Sequence, residues 1–331
     1  MRGWIGKLAA LAVLILWTGL AAAQEGVLLP EAQPLPDTQT TVEAGAYILR
    51  IDSVSPRSGT FNVDMWLWFR WTGADKRPFE TFELPRGIIT GRTEAQILQD
   101  QGMNYATLRV QATLYHEFDV RRFPLDDHTI RIEIEDASFA EAQQKYVADT
   151  GTALDPDVAV AGWQVGLGTP EAVSHRYPTT YGLRDNGDAE AIYSRLVIPV
   201  ALERTSYGPL FKLFWITILS VLLSLLSLMV KADDLDARFG MGVGAIFAAS
   251  ANAVVIGGVL PDTTVVTLAE QINLIAVAVN FLAVFVSIWS LRLRYQERDA
   301  ESVRLDMTWM WSMAVLYVLA NAAVLSFDLS W

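Results

Sequence analysis

The sequence contains no cysteine, which excludes disulfides, thiolate metal sites and a cysteine nucleophile. Its only histidines are His116, His128 and His175, too few for a histidine-rich metal centre. We find no nucleophile elbow and no phosphate-binding loop, so we expect neither an enzyme nor a bound cofactor or metal. Basic residues are also scarce: the net charge is -12, and residues 24–205 carry 27 acidic against 16 basic side chains. A nucleic-acid partner is therefore not expected.

The first 23 residues have the composition of a secretory signal peptide. Arg2 and Lys7 precede the apolar stretch Leu8–Leu20, and Ala21–Ala23 form a small-residue cleavage site. The alternative is a membrane anchor, but about 13 apolar residues are short for a bilayer. We predict a signal peptide over residues 1–23, with the domain that follows exported to the periplasm of a bacterial cell.

Residues 24–205 show no long helical periodicity. Short β-prone runs alternate with turns such as Ser55–Gly59, which predicts an extracellular antiparallel β-sandwich of the immunoglobulin-like class. In the run Thr60–Trp71, alternate residues share one apolar face and predict core positions: Phe61, Val63, Met65, Leu67, Phe69 and Trp71. Trp66 and Trp68 then lie on the opposite face, where a subunit interface or a binding pocket would explain them.

The rest of the chain, residues 206–331, contains four long apolar stretches, at about 209–230, 239–260, 270–291 and 307–327. Each is long enough to cross a hydrocarbon core of ~30 Å as a helix, so we predict a four-helix transmembrane bundle. Arginines crowd the short link between the third and fourth stretches (Arg292, Arg294, Arg298 and Arg304), which predicts that this link is cytoplasmic. We therefore predict a multi-pass inner-membrane protein whose N-terminal domain lies on the outer side of that membrane.

The second apolar stretch has a distinctive helical face. Small or apolar residues recur at spacings of three and four: Gly240, Gly244, Phe247, Ala251, Val254 and Gly258. If several copies surround an axis, this stripe would line a pore and Phe247 would form an apolar constriction. The alternative is that the glycines permit close helix packing. Periodicity alone does not separate these two interpretations.

Charged residues precede this stretch at the predicted cytoplasmic mouth. The run Asp233–Asp236 is typical of a solvated loop, but a ring of Asp236 carboxylates would favour cations. Arg238 follows, and we place it beside Asp236 as a candidate selectivity residue that partly neutralises the field or snorkels to the interface.

The segment His116–Ile130, HEFDVRRFPLDDHTI, carries a family resemblance. It resembles the signature loop of the pentameric ligand-gated channels (the Cys-loop receptor superfamily), Cys-x-x-Asp-x-x-x-Phe-Pro-Phe-Asp-x-Gln-x-Cys. Asp119, Phe123, Pro124 and Asp126 match. His116 and Ile130 replace the two cysteines, as in prokaryotic members, and His128 replaces the Gln.

Further matches occur in the same order along the chain. The run Trp66–Thr72 resembles the family's second strand, Arg204 its pre-membrane arginine, and Arg238 to Pro261 the spacing of its pore helix. The mid-span proline of the first helix is missing. The resemblance implies a homo-oligomer, a pentamer in the family, that conducts inorganic ions across the lipid bilayer when an unidentified small-molecule agonist binds between subunits.

The resemblance also assigns candidate site residues. Ligand-binding positions are Trp66, Trp68, Phe139, Tyr177 and Tyr181, an aromatic set suited to an organic cation, with interface packing as the alternative. Coupling positions are Phe123, Pro124, Asp126, Arg204 and Pro261. The loop tip is expected to rest near Pro261–Thr264, with Asp126 and Arg204 as a bidentate pair. The competing function is a non-conducting, membrane-anchored sensor or adhesion module.

Overall fold

A computed structural model of the chain describes residues 39–74, 76–181, 190–205 and 208–328. The predicted signal peptide lies outside these described residues. The N-terminal part is strand-rich, and the C-terminal part consists of four long helices, as predicted.

Twelve strands form the described N-terminal part, and a single helical turn at Pro78–Thr81 precedes the third of them. The strands are β1 (Thr40–Ser55), β2 (Thr60–Trp71), β3 (Phe82–Glu83), β4 (Gly87–Arg92), β5 (Gln96–Asp100), β6 (Met103–Tyr115), β7 (His128–Asp136), β8 (Gln144–Ala148), β9 (Ala153–Leu154), β10 (Trp163–Leu167), β11 (Glu171–Tyr177) and β12 (Ala191–Arg204).

The strands divide into two sheets. In the seven-stranded sheet the order is β4-β6-β2-β1-β8, with β5 on β6 and β9 on β1. The five-stranded sheet has the order β10-β12-β7-β3, with β11 also on β12. Pairing is antiparallel except that β1 pairs in parallel with β8 and β9. The predicted sandwich is therefore confirmed, with a mixed rather than purely antiparallel first sheet.

The core of the sandwich follows the alternation of its strands. All six predicted core residues of β2 are buried, from Phe61 to Trp71. The five-stranded sheet contributes apolar side chains from β7 and β12, namely Ile130, Ile132, Ile134, Leu196, Ile198, Val200 and Leu202. Burying each such side chain stabilises the fold by about 1.5–3 kcal/mol. The faces that remain outside this core carry the polar and aromatic clusters described below.

Four helices follow: α1 (Gly208–Ser227), α2 (Leu235–Val259), α3 (Leu268–Tyr295) and α4 (Asp299–Asp328). All four are long and apolar enough to cross a membrane, so the chain is a multi-pass membrane protein. The helices α3 and α4 are longer than the predicted apolar stretches. Hydropathy identifies only the part of a helix that lies within the hydrocarbon core, and both helices continue beyond it. Helix α4 in particular begins eight residues before the predicted position 307.

Candidate functional site

Helix α2 packs against its own subunit along a single face. The residues of this packed face are Arg238, Gly242, Ala245, Ala249, Asn252 and Ile256, all buried. Each residue of the predicted pore stripe follows one of them by two positions, a rotation of about 200° at 3.6 residues per turn. Gly240, Gly244, Phe247, Ala251, Val254 and Gly258 therefore form the opposite face, which is exposed in the subunit.

Gly240 and Gly244 of the stripe are not used for packing within the subunit. A Cβ atom added at Gly240 or Gly244 would meet no other atom within 4 Å. At Gly242, on the packed face, an added Cβ would lie 2.9 Å from Cγ2 of Val284 on α3. Close approach of α2 and α3 thus depends on Gly242. On the stripe itself, the side chains of Phe247 and Val254 are 71% and 76% exposed.

A polar layer fixes the packed face of α2 at membrane depth. Asn252 Nδ2 donates to Thr217 Oγ1 of α1 at 2.8 Å and lies 3.4 Å from Asn273 Oδ1 of α3. Thr217 Oγ1 in turn donates to the same oxygen of Asn273 at 3.2 Å. Three helices share these bonds, and all three residues are buried. Buried polar groups need such partners, so the layer opposes rotation of α2 about its axis.

Arg238, a candidate selectivity residue in the sequence, is tied into the helix bundle of its own subunit. Arg238 is buried among the helices, where Nη1 lies 3.0 Å from Asp306 Oδ2 and Nη2 contacts the other oxygen of Asp306 on α4. Its Nε donates to Ser287 Oγ of α3 at 3.0 Å, and Nη1 also donates to the carbonyl of Val230. A buried guanidinium requires such acceptors, and α3, α4 and the segment between α1 and α2 supply them.

The acidic run before α2 divides into two roles. Asp234 is the N-cap of α2, and its side chain accepts from the backbone N of Ala237 at 3.3 Å. Asp236 lies in the first turn and is exposed. The cap was not predicted, although an Asp directly before an apolar helix is a known N-cap pattern, because its carboxylate accepts from the backbone N–H three residues later.

The loop His116–Asp127 lies between the sandwich and the helices. Asp126 is buried, and its Oδ1 accepts from Arg204 Nη2 at 3.2 Å and from Nε at 3.4 Å. Its other oxygen lies 2.7 Å from Nε2 of His128. The predicted Asp126–Arg204 contact is present, and both of its hydrogen bonds end on Oδ1 while His128 occupies Oδ2.

Aromatic rings lie against the guanidinium of Arg204, the partner of this carboxylate. The guanidinium carbon of Arg204 lies 3.7 Å from the centre of the Trp163 ring and 5.8 Å from that of Phe123. Burial by itself would raise the pKa of Asp126, but the hydrogen bond with His128 and the charge of Arg204 outweigh it and lower the pKa. The carboxylate is therefore held ionised in a partly dry crevice.

The loop tip forms backbone hydrogen bonds with the start of α3. The carbonyls of Arg121 and Phe123 accept from the backbone N of Leu268 at 2.8 Å and of Ala269 at 3.1 Å. These are the first residues of α3, which begins four residues after the predicted segment Pro261–Thr264. A helix start presents unpaired N–H groups, which explains these hydrogen bonds. The peptide bond between Phe123 and Pro124 is cis.

A second connection to the helices was missed by sequence analysis. Arg57, in the turn between β1 and β2, donates from Nη1 to the carbonyl of Gly258 near the end of α2. A cation suits the C-terminal end of a helix, where carbonyls lack partners. The turn Ser55–Gly59 was recognised in the sequence, but nothing in it indicated which helix it reaches.

An aromatic cluster lies on the exposed face of the five-stranded sheet. Tyr177 lies 5.8 Å from both Tyr181 and Tyr193, measured between ring centres, and 4.6 Å from His175. Tyr181 and Tyr193 are 6.4 Å apart, and Tyr181 is 62% exposed. The structure thus joins two of the predicted ligand residues and adds Tyr193, which β12 places opposite His175 in the ladder.

Carboxylates lie beneath these rings. Tyr177 Oη donates to Glu135 Oε2 at 2.8 Å, and Arg195 binds both Glu135 and Glu133. Glu83 lies directly opposite Glu135 on the neighbouring strand, and burial together with the charges of Glu135 and Asp136 raises its pKa. Burial and Glu135 also raise the pKa of Tyr177. The cluster combines ring faces with excess negative charge.

The remaining predicted ligand residues lie apart from this cluster. Trp66 and Trp68 are half-buried on the outer face of the seven-stranded sheet. Trp68 lies against Gly45 and donates from Nε1 to Asp149 at 2.6 Å, so packing within the subunit accounts for it. Phe139 follows β7, with Lys76 Nζ 4.7 Å from its ring centre.

Comparison of the sequence with protein-family models and with curated proteins finds no match at the level required for significance. The order of a β-sandwich followed by four apolar helices is consistent with the layout of the pentameric ligand-gated channels.

Proposed function

We propose that the chain is one subunit of a ligand-gated ion channel, in which identical copies surround a pore lined by α2. The observation that carries the proposal is the free face of α2. This face lies opposite the packed face and holds the predicted stripe, whose residues from Gly240 to Gly258 are all exposed in the subunit, with Arg57 in contact at the Gly258 end. A ring of copies would place that face on the axis, as the resemblance implies for five subunits.

Phe247 is the proposed gate. It is the one aromatic side chain on a stripe of glycine, alanine and valine, so a ring of copies would be narrowest and least polar there. An apolar constriction excludes ions because the phenyl ring offers no oxygen to replace their water. Motion of α2 that widens this ring would admit water and ions.

The agonist site is proposed at the cluster of Tyr177, Tyr181 and Tyr193, completed by a neighbouring copy that supplies Trp66. The ring faces and the nearby Glu135 and Glu83 favour an organic cation. Agonist binding would reach the helices through hydrogen bonds of the sandwich with them: the loop tip on the start of α3, and Arg57 on the end of α2.

Cation selectivity is the proposed ion preference. Asp236 is exposed near the start of α2, whereas Arg238, which would oppose cations, is removed from the pore by its bonds to Asp306. The acidic N-terminal half would also concentrate cations at the outer mouth. Asp236→Asn should move the reversal potential in asymmetric salt towards zero, and a wild-type potential near that of chloride would refute cation selectivity.

The test of the function is current through the purified full chain in planar bilayers, screened against amines, amino acids, protons and calcium. Gated current that is abolished by blocking the α2 stripe with a reagent on Ala251→Cys supports the channel, since the chain has no other cysteine. A correctly assembled protein that passes no current under any of these conditions favours the non-conducting sensor.

A further inference from the structure

The end of α3 that lies farthest from the sandwich carries an open groove. Its lining includes Phe285, Ile288, Trp289, Arg292, Gln296 and Arg298, and its volume is about 480 Å³. This falls in the range of roughly 300–1,000 Å³ typical of small-molecule sites and is too large for a lone anion. The groove plays no part in the proposed pore, agonist site or coupling contacts.

One part of the groove is an apolar wall. Ile288 and Trp289 lie three and four positions after Phe285 on α3, and all three side chains are more than half exposed. The rings of Phe285 and Trp289 lie edge to face, 6.3 Å apart. On a helix that spans the bilayer, such a wall is satisfied by an acyl chain, and tryptophan is favoured at the level of the headgroups.

The other part is cationic. Arg292 lies one turn beyond Trp289 and forms no ion pair within the described residues, whereas Arg294 binds Asp233 and Asp299, and Arg298 binds Glu301. Arg292 is thus the groove's uncompensated charge, placed where the apolar wall ends. A guanidinium binds a phosphate through two parallel hydrogen bonds, which suits a phospholipid headgroup.

We propose that this groove binds an anionic phospholipid, with one acyl chain along Phe285 and Trp289 and the phosphate on Arg292. Basic pockets beside transmembrane helices recognise anionic headgroups in this way. The inference depends on the helices crossing a membrane and not on ion conduction, so failure of the channel proposal leaves it intact. The groove lies at the end of the helices where Arg292, Arg294, Arg298 and Arg304 cluster. This end was predicted to face the cytoplasm, so the lipid would belong to the cytoplasmic leaflet.

The headgroup is tested by lipid retention. The full chain is loaded with an equal mixture of phosphatidylglycerol and phosphatidylcholine, and the lipid that stays bound is counted by native mass spectrometry. We expect several-fold more phosphatidylglycerol retained by the wild type, and loss of this preference in Arg292→Gln. The matched control is Arg304→Gln, which changes an exposed arginine on α4 outside the groove. This variant should keep the preference for phosphatidylglycerol. An equal loss in both variants would mean general charge attraction and overturn the site.

The acyl chain is tested by quenching. Vesicles of phosphatidylglycerol brominated on its chains should quench the fluorescence of Trp289, obtained as the difference between wild type and Trp289→Phe, and Arg292→Gln should weaken this quenching. Brominated phosphatidylcholine should quench it less. If neither lipid quenches Trp289, a neighbouring copy of the chain covers the groove and the lipid proposal is wrong.

Discussion

Arg238 on α2 and Asp306 on α4 form a two-point ion pair in the interior of the helix bundle. Ser290 Oγ donates to Asp306 Oδ2 at 2.7 Å and lies 2.7 Å from Ser302 Oγ, so the pair belongs to a network that joins α2, α3 and α4. The pair ties the start of the proposed pore helix to the outermost helix of the chain. Rotation of α2 at this end would therefore break a buried ion pair.

We expect Asp306→Asn to destabilise the protein by about 3–5 kcal/mol, because it leaves the Arg238 guanidinium buried without its counter-charge. Unfolding in detergent, followed by circular dichroism, measures the effect. The double variant Arg238→Met with Asp306→Leu should be less damaging than Asp306→Asn, since both charges are gone. If the double variant loses as much unfolding free energy as the two single variants at Arg238 and Asp306 lose together, the residues do not act as a pair.

Phe247→Ser should increase the resting conductance, because a hydroxyl wets the proposed constriction. Single-channel recording and flux from loaded vesicles measure it. The matched control is Phe281→Ser, the same change at an exposed ring on α3 that does not lie on the α2 stripe. If Phe247→Ser assembles and conducts like the wild type, the gate lies at another level of α2.

Asp126→Asn and Arg204→Gln should each impair the response to agonist while leaving assembly intact, and the double variant should be no worse than either. A coupling free energy above about 1 kcal/mol from a double-mutant cycle on the half-maximal agonist concentration is the expected result. Additive effects would contradict communication between the two residues.

The same junction gives a role to His128, which holds the second oxygen of Asp126. His128→Gln keeps an N–H donor and should largely preserve gating, whereas His128→Leu should impair it as Asp126→Asn does. Equal responses in the two His128 variants would mean that the hydrogen bond to Asp126 is unimportant.

His116 should make the folded sandwich sensitive to mild acid. Burial, with the charges of His128, Arg86 and Arg131, lowers its pKa to about 4 from 6.5. The unfolded chain therefore binds a proton at a higher pH than the folded one, and stability is lost as the pH falls from about 6.5 to about 4. We expect a loss of about 1–3 kcal/mol over this window.

Thermal unfolding between pH 7 and pH 4 measures the acid sensitivity. His116→Asn should flatten the pH dependence in this window, and His175→Asn, the same change in the exposed aromatic cluster, should not. The raised pKa of Glu83 acts with the opposite sign, because a carboxyl that binds its proton more tightly when folded gains stability in acid. An unchanged slope in His116→Asn would refute the role of His116.

Local patterns in the sequence were enough to predict the elements and the faces of the elements. Alternation in Thr60–Trp71 predicted the core face of β2, and apolar length predicted four membrane helices, because both depend on residues adjacent along one chain segment. The stripe from Gly240 to Gly258 was predicted for the same reason. A helix of 3.6 residues per turn fixes which residues share a face before any neighbour is known.

What only the tertiary structure decided is which partner each polar side chain finds. Arg238 was predicted at the pore mouth because it opens an apolar helix, and nothing within that segment indicated that Asp306, 68 positions later, would draw it into the bundle. In the same way the loop tip met the unpaired N–H groups of α3, Arg57 met the end of α2, and Tyr193 joined Tyr177 across a strand pair. Such contacts join distant parts of the chain, and their energy depends on burial, which exists only once the chain has packed.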